Sequence, residues 1–273
     1  MRCRKADVQI ELKFKKLKKE KLMKYDLVQY EELESTNLTL TELAKSGATE
    51  FTTVIAKKQT RGRGRLQRSF YSDGGLYMSV LLKPYDLDGG EALVTLYTAV
   101  CVCKALRKVC RANVGIKWVN DIVADGGKVS GILCESHKNS DGDTDMIIGI
   151  GINLGNIDFP QDLEGIAYSV PVPEKKRERV RKKLADHIVK QLSKYPKQLK
   201  SKRFLEYYRM NCRIIDKKVT VSGDGDPYEA IVMGISDDGG LMVFSRKGAK
   251  ILKYGEISVR PIPEDKSESS TPI

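Results

Sequence analysis

Histidine is almost missing from this chain of 273 residues: there are two, His137 and His187. Neither stands in an H-E-x-x-H motif or at Cys/His ligand spacing, which excludes the common zinc patterns. His137 lies in the polar run Ser136-His137-Lys138-Asn139-Ser140-Asp141-Gly142, expected at a hairpin tip, and His187 on a charged helix. Both read as surface residues rather than as the base of a Ser-His-Asp or Cys-His mechanism. The six cysteines, at 3, 101, 103, 110, 134 and 212, form no C-x-x-C pair. Cys101, Cys103 and Cys110 fall in an apolar helical segment, where a thiol serves as a small hydrophobe. No residue is therefore assigned to a metal, and chemistry has to rest on Lys, Arg, Asp, Asn and backbone groups.

Long apolar runs are missing too. The longest, 93–102, is half the roughly 20 residues that a membrane helix needs, and it holds two Thr. The basic start Met1-Arg2-Cys3-Arg4-Lys5 leads into no unbroken apolar stretch, so no secretory signal is expected. These absences point to a cytoplasmic protein with no membrane partner. A hydrophobic content of 41% excludes a mainly disordered chain.

Charge is abundant but uneven. The formal net charge is +12, from 48 Lys+Arg against 36 Asp+Glu. Residues 1–22 contribute +6 and residues 174–218 contribute +12, so everything else sums to −6. A basic total invites a nucleic-acid partner, but its confinement to two segments fits solvated helix faces better. Both segments lie apart in sequence from the motifs below.

Periodicity predicts an α+β architecture. Residues 8–14 alternate as one short strand before a Lys-rich tail. Strands are expected at 27–30, 52–56, 76–82, 116–118, 121–123, 128–135 and 146–153. Helices are expected at 38–45, with Ser35-Thr36-Asn37 as turn and cap, at 91–109, at 177–194 and at 197–210. From Ile214 the texture changes to short strands at 218–221, 228–235, 240–244 and 257–259 between Gly-Asp turns, as in a small β-barrel. The domain expectation is a basic leader at 1–24, a main domain at 25–212, a small domain at 213–262 and a disordered tail at 263–273.

Three segments carry chemistry. Gln59-Thr60-Arg61-Gly62-Arg63-Gly64-Arg65-Leu66-Gln67-Arg68 holds four arginines in eight residues, alternating with glycine. Glycine lets a backbone approach a ligand closely, and arginine supplies paired donors for phosphate or carboxylate. From these residues alone the loop suits a small-molecule phosphate or an RNA-binding Arg-Gly tract. Its single occurrence between two strands favours the former. The second segment places Lys117, Asn120 and Asp121 at a strand end, with Lys128 opening the returning strand after Gly126-Gly127. The third, Gly149-Ile150-Gly151-Ile152-Asn153, lets a ligand pack on strand backbone.

In this order the segments resemble the biotin protein ligase family. The matching signals are Ser35-Thr36-Asn37, Gln59-Thr60-x-Gly62-Arg63-Gly64-Arg65 and Gly75-Leu76-Tyr77-x-Ser79. Lys117-Trp118-x-Asn120-Asp121, Lys128-Val129-x-Gly131-Ile132-Leu133-x-Glu135 and Gly149-Ile150-Gly151-Ile152-Asn153 complete the set, over residues 25–261. The resemblance implies a catalytic domain like that of class II aminoacyl-tRNA synthetases, a mixed sheet with flanking helices, followed by an SH3-like barrel. It implies ATP-dependent formation of biotinyl-5′-adenylate and transfer of biotin to a lysine of a biotin carboxyl carrier domain. ATP with Mg²⁺ and biotin enter as substrates and activating ion, with no tightly bound cofactor, and a homodimer is left open.

By the same resemblance, Lys128 is the catalytic lysine between the biotin carboxylate and the α-phosphate. Arg63 and Arg65 close over the adenylate, and Asp121 orients the incoming amine. Ser35, Thr36, Asn37, Gln59, Gly62, Gly131 and Gly149 match biotin-contacting positions, together with Arg63, Arg65 and Lys128. Arg68, Phe70, Lys117, Asn120 and Asn153 match the nucleotide side, with Asp121 and Lys128. The chain departs from the family where Gln67 replaces a usual Gly, Phe70 a Trp and Val119 a Pro, and where residues 71–73 form a shorter stretch. A lipoate ligase shares the chemistry, but the Arg-Gly loop and terminal barrel argue against it. A non-enzymatic nucleic-acid-binding protein would leave the order of Lys117, Lys128 and Asn153 unexplained. The 24 leading residues are too few for a helix-turn-helix unit, so no operator binding is expected. Met23 is an alternative start, and residues 1–22 are expected to be dispensable for ligation.

Overall fold

The computed structural model describes residues 16–22, 25–83, 91–139, 142–223, 225–253 and 258–262. In chain order the first elements are β1 (Lys16–Leu22), β2 (Tyr25–Leu33), α1 (Thr36–Lys45), β3 (Thr53–Gln59), β4 (Asp73–Leu82) and α2 (Glu91–Cys110). They are followed by β5 (Gly115–Lys117), β6 (Asp121–Ala124), β7 (Gly127–Lys138) and β8 (Thr144–Ile152). Three helices come next, α3 (Glu174–Leu192), α4 (Tyr195–Ser201) and α5 (Phe204–Met210). The chain then returns to strands: β9 (Lys218–Ser222), β10 (Tyr228–Ile235), β11 (Leu241–Ser245), β12 (Gly248–Leu252) and β13 (Ser258–Pro261).

The first eight strands form one mixed sheet in the order β1-β2-β3-β4-β8-β7-β6-β5, with β2 and β3 parallel and the other pairs antiparallel. The last five form an antiparallel sheet, β12-β11-β10-β9-β13. The α+β class expected from the sequence stands.

Strand alternation decides which residues face which layer. In β4 and β8, Leu76, Met78, Val80 and Leu82 with Met146, Ile148, Ile150 and Ile152 enter the large core beneath α2 and α3. Leu81 and Ile147 point the other way, into a second core with Leu40 of α1, Leu33, Val54 and Ala56. On that same upper side Ser79 and Gly149 approach the start of α1. The large core continues without a break into the second sheet through Val219, Val232, Leu241 and Val259. Trp118 Nε1 donates to Gly239 O at 3.0 Å, and Arg209 Nε to Ile235 O at 2.8 Å, so polar bonds also cross this junction.

Several local expectations change. Residues 8–14 lie outside the described residues, whereas part of the expected Lys-rich tail is strand β1, paired from Leu22↔Tyr25 to Lys16↔Tyr30. An edge strand tolerates lysine, and β2 would otherwise present an open row of backbone donors and acceptors. The single helix expected at 197–210 is two, because Lys202 adopts φ 54, a left-handed conformation that ends α4. Strand β12 was not anticipated. His137 lies within β7, its Nε2 3.5 Å from Thr41 Oγ1, and not at the hairpin tip. Cys101 and Cys103 are buried in the core as expected, and burial pushes the Cys101 thiol up to about 12. Pro261, at the end of β13, pairs with Val219.

A chain started at Met23 would keep the cleft described below but lose the β1–β2 ladder. Its melting temperature should fall by a few degrees and its aggregation should rise, while ligation is retained. Thermal melts and light scattering on the two chains check this; loss of ligation would mean that β1 supports the cleft.

Candidate active site

The cleft lies over β7 and β8, at the start of α1 and the end of β3, and encloses about 1240 Å³. Single small-ligand pockets run to about 300–1,000 Å³, so this one has room for two substrates side by side.

Its floor is made by glycine. Gly131 of β7 pairs with Gly151 of β8, and Leu133 pairs with Gly149. A Cβ at Gly149 would run into the Asn37 carboxamide. One at Gly151 would sit 2.5 Å from the Phe70 ring, and one at Gly131 would sit 3.0 Å from Lys128 Nζ. The missing side chains are what allow Asn37, Phe70 and Lys128 to lie directly on strand backbone.

One wall is a network of hydrogen bonds. Ser35 occupies the N-cap position of α1, but its hydroxyl makes no capping bond. Gln59 Oε1 accepts instead from the Thr36 backbone N–H at 2.8 Å. Gln59 Nε2 donates to Ser72 Oγ at 3.0 Å, and Ser72 donates to Phe70 O at 2.9 Å. Asn37 Nδ2 donates to Glu135 Oε2 at 2.6 Å, and Arg63 bonds both oxygens of Glu135 at 3.0 Å.

The other wall is cationic. Lys128 Nζ stands 2.6 Å from Asp121 Oδ1 and 5.7 Å from the centre of the Phe70 ring. Asn120 is held by its Nδ2 donating to Ile132 O at 2.6 Å, and it accepts from Arg65 at 3.3 Å. The Trp118–Val119 peptide is cis. Burial pulls the Lys117 pKa below the ordinary lysine value; Asp121 opposes this, while Lys128, Arg260 and Arg68 add to it. Asn153 Nδ2 donates to Tyr168 O at 3.2 Å, and its Oδ1 is buried without a hydrogen-bond partner among the described residues.

The residues singled out from sequence meet here with one exception. Ser35, Thr36, Asn37, Gln59, Arg63, Arg65, Arg68, Phe70, Lys117, Asn120, Asp121, Lys128, Gly131, Gly149 and Asn153 all line the cleft. Gly62 does not. It is buried beneath the loop, where a Cβ would strike the Phe70 carbonyl and the Ser72 hydroxyl, so its role is to let the loop fold back on itself. Sequence reasoning missed Arg213, Val259 and Arg260, which reach the cleft from the C-terminal segment, and Phe159 and Ile166 from the loop after β8. The basic stretch 174–218 is accordingly not all remote from the site, because it supplies Arg213.

A glycine-floored pocket joined to a cluster of cations suits a small organic acid beside a polyphosphate. Comparison with known proteins agrees. A sequence model described as the biotin/lipoate A/B protein ligase family matches residues 30–153. The bifunctional ligase/repressor BirA of Bacillus spizizenii is 32% identical over 236 residues, covering 82% of this chain and 71% of that protein.

The chain belongs to the biotin protein ligase family.

A biotin–acetyl-CoA-carboxylase ligase of Mycobacterium tuberculosis is 29% identical over 238 residues, covering 82% of this chain and 85% of that one. The solved structure titled biotin protein ligase from Aquifex aeolicus in complex with biotin and ATP matches with a TM-score of 0.69 and 29% identity. That match covers 86% of this chain and 99% of the other. The mixed sheet with a second antiparallel sheet is thus the architecture of this ligase family.

Gly149→Ala should push Asn37 off the sheet at a cost of about 1–3 kcal/mol. The melting temperature should fall, and affinity for the small organic ligand should fall further than affinity for the nucleotide. Calorimetric titration with each ligand separates the two; equal losses would show that Asn37 has no special place in the pocket.

Proposed function

We propose that this protein activates biotin with ATP to biotinyl-5′-adenylate and transfers the biotinyl group to a lysine of a biotin carboxyl carrier domain. The observation that carries this reading is Lys128: its ammonium sits on the glycine floor, 2.6 Å from Asp121, between the polar pocket and the cationic wall. In the first step a biotin carboxylate oxygen attacks the α-phosphorus of ATP, the new P–O bond forms, and pyrophosphate leaves. Two anions must approach each other, and Lys128 offsets their repulsion in a partly enclosed cleft where charges are weakly screened. Arg65, Arg68, Lys117 and Arg260 supply further positive charge on the nucleotide side. Phe70 offers an apolar ring face.

In the second step the carrier lysine's amine attacks the carbonyl carbon of the mixed anhydride and AMP leaves. That amine must first lose a proton. Asp121, released from Lys128 as the ligands take over its charge, is placed to orient it. Arg63 and Arg65 hold the loop 60–72 over the intermediate. Asn153 Oδ1 would help to hold a magnesium ion carried by the nucleotide phosphates, and such an ion would supply positive charge against theirs.

The proposal extends to architecture. Residues 25–212 form the catalytic unit, of the class II aminoacyl-tRNA synthetase type, and residues 213–262 an SH3-like barrel. Lipoate is the competing acid. The long Arg-Gly loop and the terminal sheet favour biotin, and ATP–pyrophosphate exchange driven by biotin, not lipoate, is the deciding measurement.

Lys128→Ala should lower adenylate formation by about 100-fold or more while the melting temperature barely moves. Pyrophosphate exchange checks it; a near-normal rate would remove Lys128 from the mechanism. Because burial favours the neutral form of Lys117, its charge is present at low pH and is lost as pH rises, earlier than for an exposed lysine. The KM for ATP should therefore climb on the alkaline side, and Lys117→Arg, which keeps its charge, should shift that climb to higher pH. A KM profile that is identical in the two proteins would exclude Lys117 from nucleotide binding.

A further inference from the structure

Strand β4 begins irregularly. Asp73 pairs with Lys58 and Tyr77 with Ala56, so residues 74–76 stand against Lys57 alone. On its other side β4 pairs with β8 only from Leu76 onward. Gly74 and Gly75 therefore belong to a bulge outside both ladders, and their backbone groups need other partners. Gly74 takes φ 78, and a Cβ at Gly75 would strike Ile152 O, so the bulge has to be built from glycine.

A buried arginine supplies the missing donors. Arg181 of α3 is 8% exposed. Its Nε donates to Gly75 O at 2.8 Å and its Nη2 to Gly74 O at 2.5 Å, while Nη1 faces Glu178 at 3.3 Å. The planar fork of a guanidinium serves two successive carbonyls at once, which a single ammonium does less well.

The peptide that joins Gly74 to Gly75 is thus held at both ends. Its C=O accepts from Arg181, and its N–H donates to the Tyr77 hydroxyl at 3.1 Å. A peptide is a rigid plane, so fixing the carbonyl fixes where the N–H points. Tyr77 is fully buried, and its ring meets Phe70 edge to face, with centroids 6.4 Å apart and planes at 74°. Phe70 in turn rests over Gly131 and Gly151, 5.7 Å from Lys128 Nζ. Contacts therefore run from α3 through the 74–75 peptide and Tyr77 to a ring of the cleft, although neither Arg181 nor Tyr77 is among the residues that line it.

We propose that Arg181 is a positioning residue for the nucleotide: it locks the Gly74–Gly75 peptide, which holds Tyr77 against Phe70 and keeps the Phe70 ring seated on the glycine floor beside ATP. The inference rests on the ligase reading given above and on Phe70 serving the nucleotide rather than the acid. Without the clamp the peptide is free to turn, Tyr77 loses its bond, and Phe70 tilts into space that the nucleotide needs.

The test uses Tyr77→Phe and Arg181→Lys, singly and together in the full chain, assayed by ATP–pyrophosphate exchange with biotin. Tyr77→Phe removes only the hydroxyl and should raise the KM for ATP about fivefold, with the KM for biotin within about twofold. Arg181→Lys keeps the charge but loses the fork. It should raise the KM for ATP about tenfold with the same selectivity, and lower the melting temperature, because a carbonyl loses its partner. The double variant should be little worse than Arg181→Lys, since both act through one peptide. A lower melting temperature with both KM values unchanged overturns the proposal and leaves Arg181 a structural residue. Effects on the KM for ATP that multiply in the double variant overturn it as well. If Arg181→Lys does not fold, a normal KM for ATP in Tyr77→Phe is enough to overturn it. A wild-type protein inert with biotin would instead sink the ligase reading, and calorimetric titration of the same variants with ATP would still decide whether Arg181 governs nucleotide affinity.

Discussion

Antiparallel pairing sets Gly131 opposite Gly151 and Leu133 opposite Gly149, and the working surface depends on what those glycines leave out. A sheet face ordinarily carries a row of side chains that keeps ligands several ångströms from the backbone. Here the Asn37 carboxamide, the Phe70 ring and the Lys128 ammonium occupy that space instead. The neighbouring positions of the same strands, Ile132, Ile148 and Ile150, are buried in the large core on the opposite face. Bulk below and its absence above come from one two-residue period, so the core that stabilises the sheet also flattens its upper side.

The electrostatics follow from this layout. Cations from separate parts of the chain line the same cleft: Arg65 and Arg68 from the loop, Lys117 and Lys128 from strands, Arg213 and Arg260 from the C-terminal segment. Two carboxylates each already hold a cation, Asp121 with Lys128 and Glu135 with Arg63. Such clusters of like charge oppose folding; the Lys117 pKa is lowered first by burial, and Lys128, Arg260 and Arg68 lower it further. The arrangement is tolerable because its proper occupant is anionic, and an occupied cleft is more stable than an empty one.

Much of this was legible beforehand, for identifiable reasons. Helix α2 and strands β4 and β8 announce themselves because their apolar spacing is strong and their burial nearly complete. The cleft residues were legible because glycine, arginine and lysine stand in short motifs whose chemistry needs neighbours only a few positions away. Strand β1 was not, since an edge strand rich in lysine has no apolar alternation to betray it. The break between α4 and α5 was hidden because Lys202, an ordinary helix former, takes a left-handed conformation under tertiary demand. Gly62 lies buried under the loop, where a Cβ would strike the Phe70 carbonyl, a constraint that no local motif spells out.

The amino-acid sequence by itself determined the strand faces, the glycine floor and the kinds of charge available, because each depends on a repeat or motif a few residues long. Only the tertiary structure decided which charges meet. Lys128 with Asp121, Arg63 with Glu135 and Arg260 beside Lys117 are separated by 7, 72 and 143 positions, yet each pair interacts across the same cleft. Coulomb energies and hydrogen bonds depend on distance through space, and no local pattern encodes that distance.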